Sequence, residues 1–178
     1  WNAGAKYLNT TGTNVAALCG SPAHYAARAL YTEMEMFVPA ADVGALIAAF
    51  RAFQAEVLPL HDARGAALFT GVRYVAADDI ALSPQRARDN AVVSFVVTGD
   101  AEQTGNFTEF HRYAHRLEQM AVANFSGRPH WGKMHWSDAP TLRAAYGDDA
   151  WAAFAEQREA MDPTGVFLND YLRAHLGL

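Results

Sequence analysis

Tyr31-Thr32-Glu33-Met34-Glu35-Met36-Phe37-Val38, closed by Pro39, alternates residue by residue. With a period of two, Tyr31, Glu33, Glu35 and Phe37 share one face, while Met34, Met36 and Val38 share the other. The stretch reads as a strand with an apolar side against helices and a carboxylate-bearing side. A helix should follow, because Val43, Leu46, Ile47, Phe50, Phe53 and Val57 recur at three- and four-residue spacing before Pro59. Asp42 stands where a negative charge suits its first turn.

Two more strands are expected downstream. Leu68 to Val75 puts Phe69, Gly71, Arg73 and Val75 on one face, and Val92 to Thr98 is β-branched, with Ser94, Val96 and Thr98 together. The pattern Phe107, Phe110, Ala114, Leu117, Ala121 marks a second amphipathic helix from Thr104 to about Asn124. Asp138 is a natural N-cap for a short helix with Pro140 in its first turn. A further helix spans roughly Asp149 to Met161, then a turn at Asp162-Pro163-Thr164-Gly165, then a helical turn or two from Tyr171. Residues 1–28 show no sustained period and read as an irregular lead-in. The order of elements predicts an α+β fold, an antiparallel sheet with helices packed on one face.

Composition narrows the function. The 178 residues are 51% hydrophobic and 19% charged, which fits an ordered domain with a real core. A net charge of −5 without a basic tract disfavours nucleic acid and anionic membranes as partners. No apolar run approaches the roughly 20 residues that span a bilayer. The single Cys19 cannot form an internal disulfide. A start at Trp1 fits a processed product, a subunit of a longer precursor or an expressed fragment. Together with triplets at Asn9, Asn106 and Asn124 of the N-x-S/T type, it is compatible with a secretory route but leaves localisation open.

The chemistry concentrates in Gly127-Arg128-Pro129-His130-Trp131-Gly132-Lys133-Met134-His135-Trp136, where cations and aromatics sit beside a proline and two glycines. Such a stretch can hold a flat, electron-rich, partly anionic ligand, or it can be a surface turn with aromatic plugs. Arg73 on its strand either faces a pocket or pairs with Glu33 or Glu35 on a neighbouring strand. His111, His115 and Glu118 share a helical face at a spacing open to metal ligation or to a solvated flank, but Arg112 breaks the H-E-x-x-H order, and no metal is expected. No G-x-G-x-x-G or Walker loop occurs in the sequence.

Four stretches, YTEMEMFVP (31–39), VRYVAADDIALSP (72–84), GRPHWGK (127–133) and MDPTGVFLNDYL (161–172), resemble in order the landmarks of one family. It is the sugar-lactone and polyol branch of the vanillyl-alcohol-oxidase flavoproteins, which includes gulonolactone, arabinonolactone and alditol oxidases. The resemblance implies that residues 29–178 are a substrate (cap) domain with its C-terminal segment. It further implies that the FAD-binding domain lies outside this chain, in an N-terminal domain or a flavin-bearing partner chain. The implied activity is hydride transfer from a CH–OH group of a sugar-acid lactone or polyol to FAD. Lys133 and Arg73 match the family's catalytic positions, and His130, Trp131 and Lys133 would lie near the cofactor. Gly71, Arg73, Ser94 and Glu35 would line the substrate pocket. Relatives usually carry a glutamate where this chain has Gly71. That departure leaves a degenerate, non-catalytic cap-like subunit as the alternative.

Overall fold

The computed structural model describes residues 30–57, 69–99 and 104–178; the lead-in over 1–28 and the residues around Pro59 lie outside these. The elements run β1 (Leu30–Pro39), a 3-10 turn (Ala40–Asp42), α1 (Val43–Val57), β2 (Phe69–Val75), β3 (Asn90–Gly99), α2 (Thr104–Phe125), β4 (Arg128–Pro129), α3 (Ala139–Tyr146), α4 (Asp148–Met161) and α5 (Asp170–Leu176). Four strands form one antiparallel sheet in the order β2-β3-β1-β4. Six elements in the order β-α-β-β-α-β, with β1 and β3 central, form the split βαβ arrangement. The α+β architecture expected from the sequence is therefore the one observed.

The alternation of β1 has the expected effect. Met34, Met36 and Val38 are buried together with Ala91, Val93 and Phe95 of β3 under Leu46 and Phe50 of α1 and Phe110, Tyr113, Ala114, Leu117 and Ala121 of α2. Phe50 meets Phe95 edge-on with ring centroids 4.9 Å apart, a geometry that adds to simple burial. Asp42 falls in the 3-10 turn before α1, one step ahead of the helix proper.

A second, smaller core gathers Leu82 with Leu142 and Tyr146 of α3, Ala150 and Trp151 of α4, and Leu176 of α5. The Asp138 cap is observed, its carboxylate accepting the Thr141 N–H at 3.0 Å. The turn after α4 is closed by Asp162, whose two oxygens accept the N–H groups of Val166 and Phe167 at 2.8 and 2.9 Å, with Gly165 at φ +70°.

One element goes beyond the sequence expectation. Arg128-Pro129 reads in the sequence as only part of a rigid turn, yet it pairs with Phe37 and Met36 as an edge strand. Proline is tolerated there because an edge position needs no N–H on its outer side. Gly127 makes the approach possible. Its N–H bonds Ala121 O at 2.9 Å, and a Cβ at this position would stand 2.8 Å from the Ala121 carbonyl carbon.

Candidate functional site

The stretch after β4 follows β1, leaves it and returns. His130 N–H donates to Glu35 O at 3.1 Å and Met134 N–H to Glu33 O at 3.2 Å, while Trp131, Gly132 and Lys133 loop outward between these anchors. Lys133 N–H closes the loop onto His130 O at 3.0 Å. Gly132 N–H donates to His130 Nδ1 at 2.9 Å. That bond assigns the neutral imidazole a proton on Nε2. A Cβ on Gly132 would press on the His130 ring at 3.3 Å, so the glycine keeps ring and loop in contact.

Side chains of this stretch go three ways. Met134 and Trp136 pack on the first core and Trp131 on the second. His130 and Lys133 join the carboxylate-bearing face of β1. The stretch is thus the seam of the molecule.

On that face Glu35 is the centre. It is 2% exposed, and a buried carboxylate is costly unless its oxygens are satisfied. Ser94 Oγ donates to Oε1 at 2.6 Å and Arg73 Nη2 to Oε2 at 2.7 Å. His130 Nε2 lies 3.9 Å from the same Oε2, within ion-pair range but beyond a hydrogen bond. Burial by itself would push the Glu35 carboxyl up. The Ser94 hydrogen bond and the Arg73 charge outweigh it, helped by Glu33 and His130, and bring it below its ordinary 4.5. Beside this cluster Lys133 Nζ meets Glu33 Oε2 at 2.5 Å.

Among the residues singled out in the sequence, Glu35, Arg73, Ser94 and His130 therefore converge, with Lys133 next to them. Gly71 stands in register opposite Ser94, which is opposite Glu35, so the three form one row across β2, β3 and β1. The pairing of Arg73 with Glu35 reaches over β3, one strand further than neighbouring strands would require. Trp131 is directed elsewhere: its Nε1–H donates to Leu82 O at 2.8 Å and its ring stacks on Tyr146.

Several residues of consequence have roles in the structure that the sequence reading does not give them. Arg128, buried above the Tyr146 ring, donates to the carbonyls of Ala145, Pro84 and Arg86 at 3.0, 3.3 and 2.8 Å and ties the loop after β2 to α3. Glu118, in the sequence a possible ligand or part of a solvated flank, does not lie on a solvated flank. It is buried, and accepts the N–H groups of Trp136 and Ser137 at 2.7 Å each as well as the Ser137 hydroxyl. His115 stacks on Trp136, and among the described residues no group of three acids, histidines or cysteines could hold a metal. His135 Nε2 meets Tyr171 Oη at 2.6 Å, the same hydroxyl donates to Trp131 O at 2.8 Å, and His135 Nδ1 is buried with no partner among the described residues. The contacts these residues make carry no local sequence signal, because each depends on distant segments.

Residues 24–175 match the D-arabinono-1,4-lactone oxidase family, which is most of the chain. The chain belongs to that family. Over 106 residues it is 40% identical to an L-gulono-1,4-lactone dehydrogenase of Mycobacterium tuberculosis, covering 60% of this chain and 22% of the relative. It is 32% identical over 106 residues to an L-gulonolactone oxidase of Mus musculus and 36% identical over 102 residues to an alditol oxidase of a Streptomyces species, each match covering 57% of this chain and 22% of the relative. The matched part thus spans about a fifth of these relatives. The arabinonolactone oxidase family is one of oxidoreductases, and the match covers both the Glu35–Arg73 strands and the His130–Lys133 loop. Among the described residues no helix is long and apolar enough to cross a membrane.

Proposed function

We propose that this chain forms the substrate side of an FAD-dependent oxidoreductase that oxidises a CH–OH group of a sugar-acid lactone or polyol. The observation that carries the reading is the convergence of Glu35, Arg73, Ser94 and His130, with the Lys133–Glu33 pair beside them, on one face of the sheet. A flavin, when bound, supplies the acceptor for the hydride.

The donor set fits such a ring and a polyhydroxyl substrate. Lys133 and His130 sit on one short loop whose shape is fixed by the Gly132 contact and the Lys133 N–H bond, and in this reading the two side chains face the cofactor. Trp131, bonded to Leu82 O, braces that loop. Arg73 offers a planar fork of donors to substrate oxygens. A fixed cation next to a hydroxyl stabilises the oxygen as its proton leaves, and this preorganised charge costs no reorganisation during the reaction. Glu33 and Glu35 neutralise the two cations in the resting state, so the face as a whole favours a neutral, hydroxyl-rich ligand over an anion.

The reading extends to partners: a flavin-bearing domain or chain completes the site, consistent with the 22% share of the relatives that the match covers. The test is anaerobic mixing of the flavin-loaded assembly with a panel of aldonolactones and polyols. Bleaching of the flavin band by at least one of them is expected. A band unchanged by every compound would return the chain to the role of a non-catalytic cap-like subunit.

A further inference from the structure

Arg73 is the less anchored of the two cations by position, since β2 is the outer strand and its side chain is 57% exposed. A long arginine on an outer strand has several rotamers of similar energy, and ordering it costs side-chain entropy. Here it is drawn to one place. Its strand partner is Val92, whose partner on β1 is Phe37, but its guanidinium is found one row along, at Glu35. In that row Gly71 contributes no side chain, and Ser94 alone stands between it and Glu35.

Glu35 itself cannot swing. Its backbone is in the middle of the sheet, paired with Ser94 on one side and accepting His130 N–H on the other. Its two carboxylate oxygens are engaged by different donors, Ser94 on Oε1 and Arg73 on Oε2. Only one of the five N–H donors of a guanidinium is used in this contact.

We propose that Glu35 is a positioning residue: pinned by Ser94, it fixes the Arg73 guanidinium so that the rest of the fork meets a substrate oxygen in one orientation. This rests on the reading of the face as the substrate side. Glu35, 2% exposed, acts in this proposal through Arg73.

The experiment has two arms. In the 178-residue chain, the Arg73 side-chain N–H resonances should be resolved and slow to rotate in the parent. They should be averaged in Glu35→Gln, with the thermal melt showing a folded protein. In the flavin-loaded assembly, Glu35→Gln should lower kcat/KM by roughly a hundredfold, the scale of a small misplacement of a reacting group. Arg73→Ala should then add little in the Glu35→Gln background, the signature of residues acting as one unit. If Glu35→Gln fails to fold, Ser94→Ala and Glu35→Asp serve the same comparison. An Arg73 guanidinium that is averaged in the parent, or unaffected by loss of the Glu35 charge, overturns the positioning role whatever the kinetics. An ordered Arg73 whose replacement by alanine leaves turnover intact overturns instead the catalytic reading of the face, and the positioning role with it.

Discussion

At the scale of single residues, charge placement governs what this protein can do. Lys133 is held by Glu33 on a loop shaped by its glycine and by backbone bonds, so its side chain is expected to matter for chemistry more than for folding. Lys133→Met should slow flavin reduction in the loaded assembly roughly a hundredfold to a thousandfold, the range for losing one preorganised donor. Its melting temperature should stay close to that of the parent; stopped-flow reduction and a melt on one sample check both. Gly71→Glu should offer Arg73 a rival carboxylate in the Gly71–Ser94–Glu35 row. The relative activities across lactones and polyols should then change; an unaltered ranking would place residue 71 outside the pocket. His135 provides a pH-dependent measurement independent of the site. Burial, aided by the nearby His175, depresses its pKa from 6.5 to about 4. Between those values the unfolded chain binds a proton that the folded chain refuses, so stability should fall as the pH drops from 6.5 towards 4, by roughly 3 kcal/mol in all. Urea titrations at pH 5 and 7 should show a smaller difference in His135→Gln than in the parent.

At the scale of elements, glycines illustrate how little of a residue's role is local. Gly127 lies where α2 hands over to β4, and a methyl group there would collide with the Ala121 backbone. Gly127→Ala should therefore cost roughly 1–3 kcal/mol, the usual penalty of overpacking. Gly44, in the first turn of α1, has open space where a Cβ would stand, with nothing within 4 Å, and a helical backbone that alanine accepts. Gly44→Ala should stabilise by about 0.5 kcal/mol through the unfolded state. Chemical denaturation of the two variants should thus give shifts of opposite sign for one chemical change. The strands and long helices are legible in the sequence, because periods of two and 3.6 are imposed by burial on one side. The two-residue strand β4 is not, since a segment that short has no period and exists only by pairing with β1.

At the scale of the whole molecule, two cores meet along residues 130–137, and the polar face opens beside that seam. The face is a sheet surface with a loop beside it rather than a phosphate-binding cradle, so the chain on its own should fold yet purify without colour. Absorbance spectra of the isolated chain check this; stoichiometric FAD bound to it would move the cofactor site into this chain. Alternation along β1, the spacing of apolar residues in α1 and α2, and the cap at Asp138 were determined by the sequence alone, because each is set by neighbours within a few residues. The four motifs in their order, that around His130 and Lys133 among them, pointed to the family, because an order of residues is itself the signal. Which cation meets which carboxylate was decided only by tertiary structure. Glu35 and Arg73 are separated by 38 positions and by an intervening strand, and Lys133 and Glu33 by 100. Coulomb attraction acts through space between groups that sheet register brings together, and no local pattern in the chain records that register.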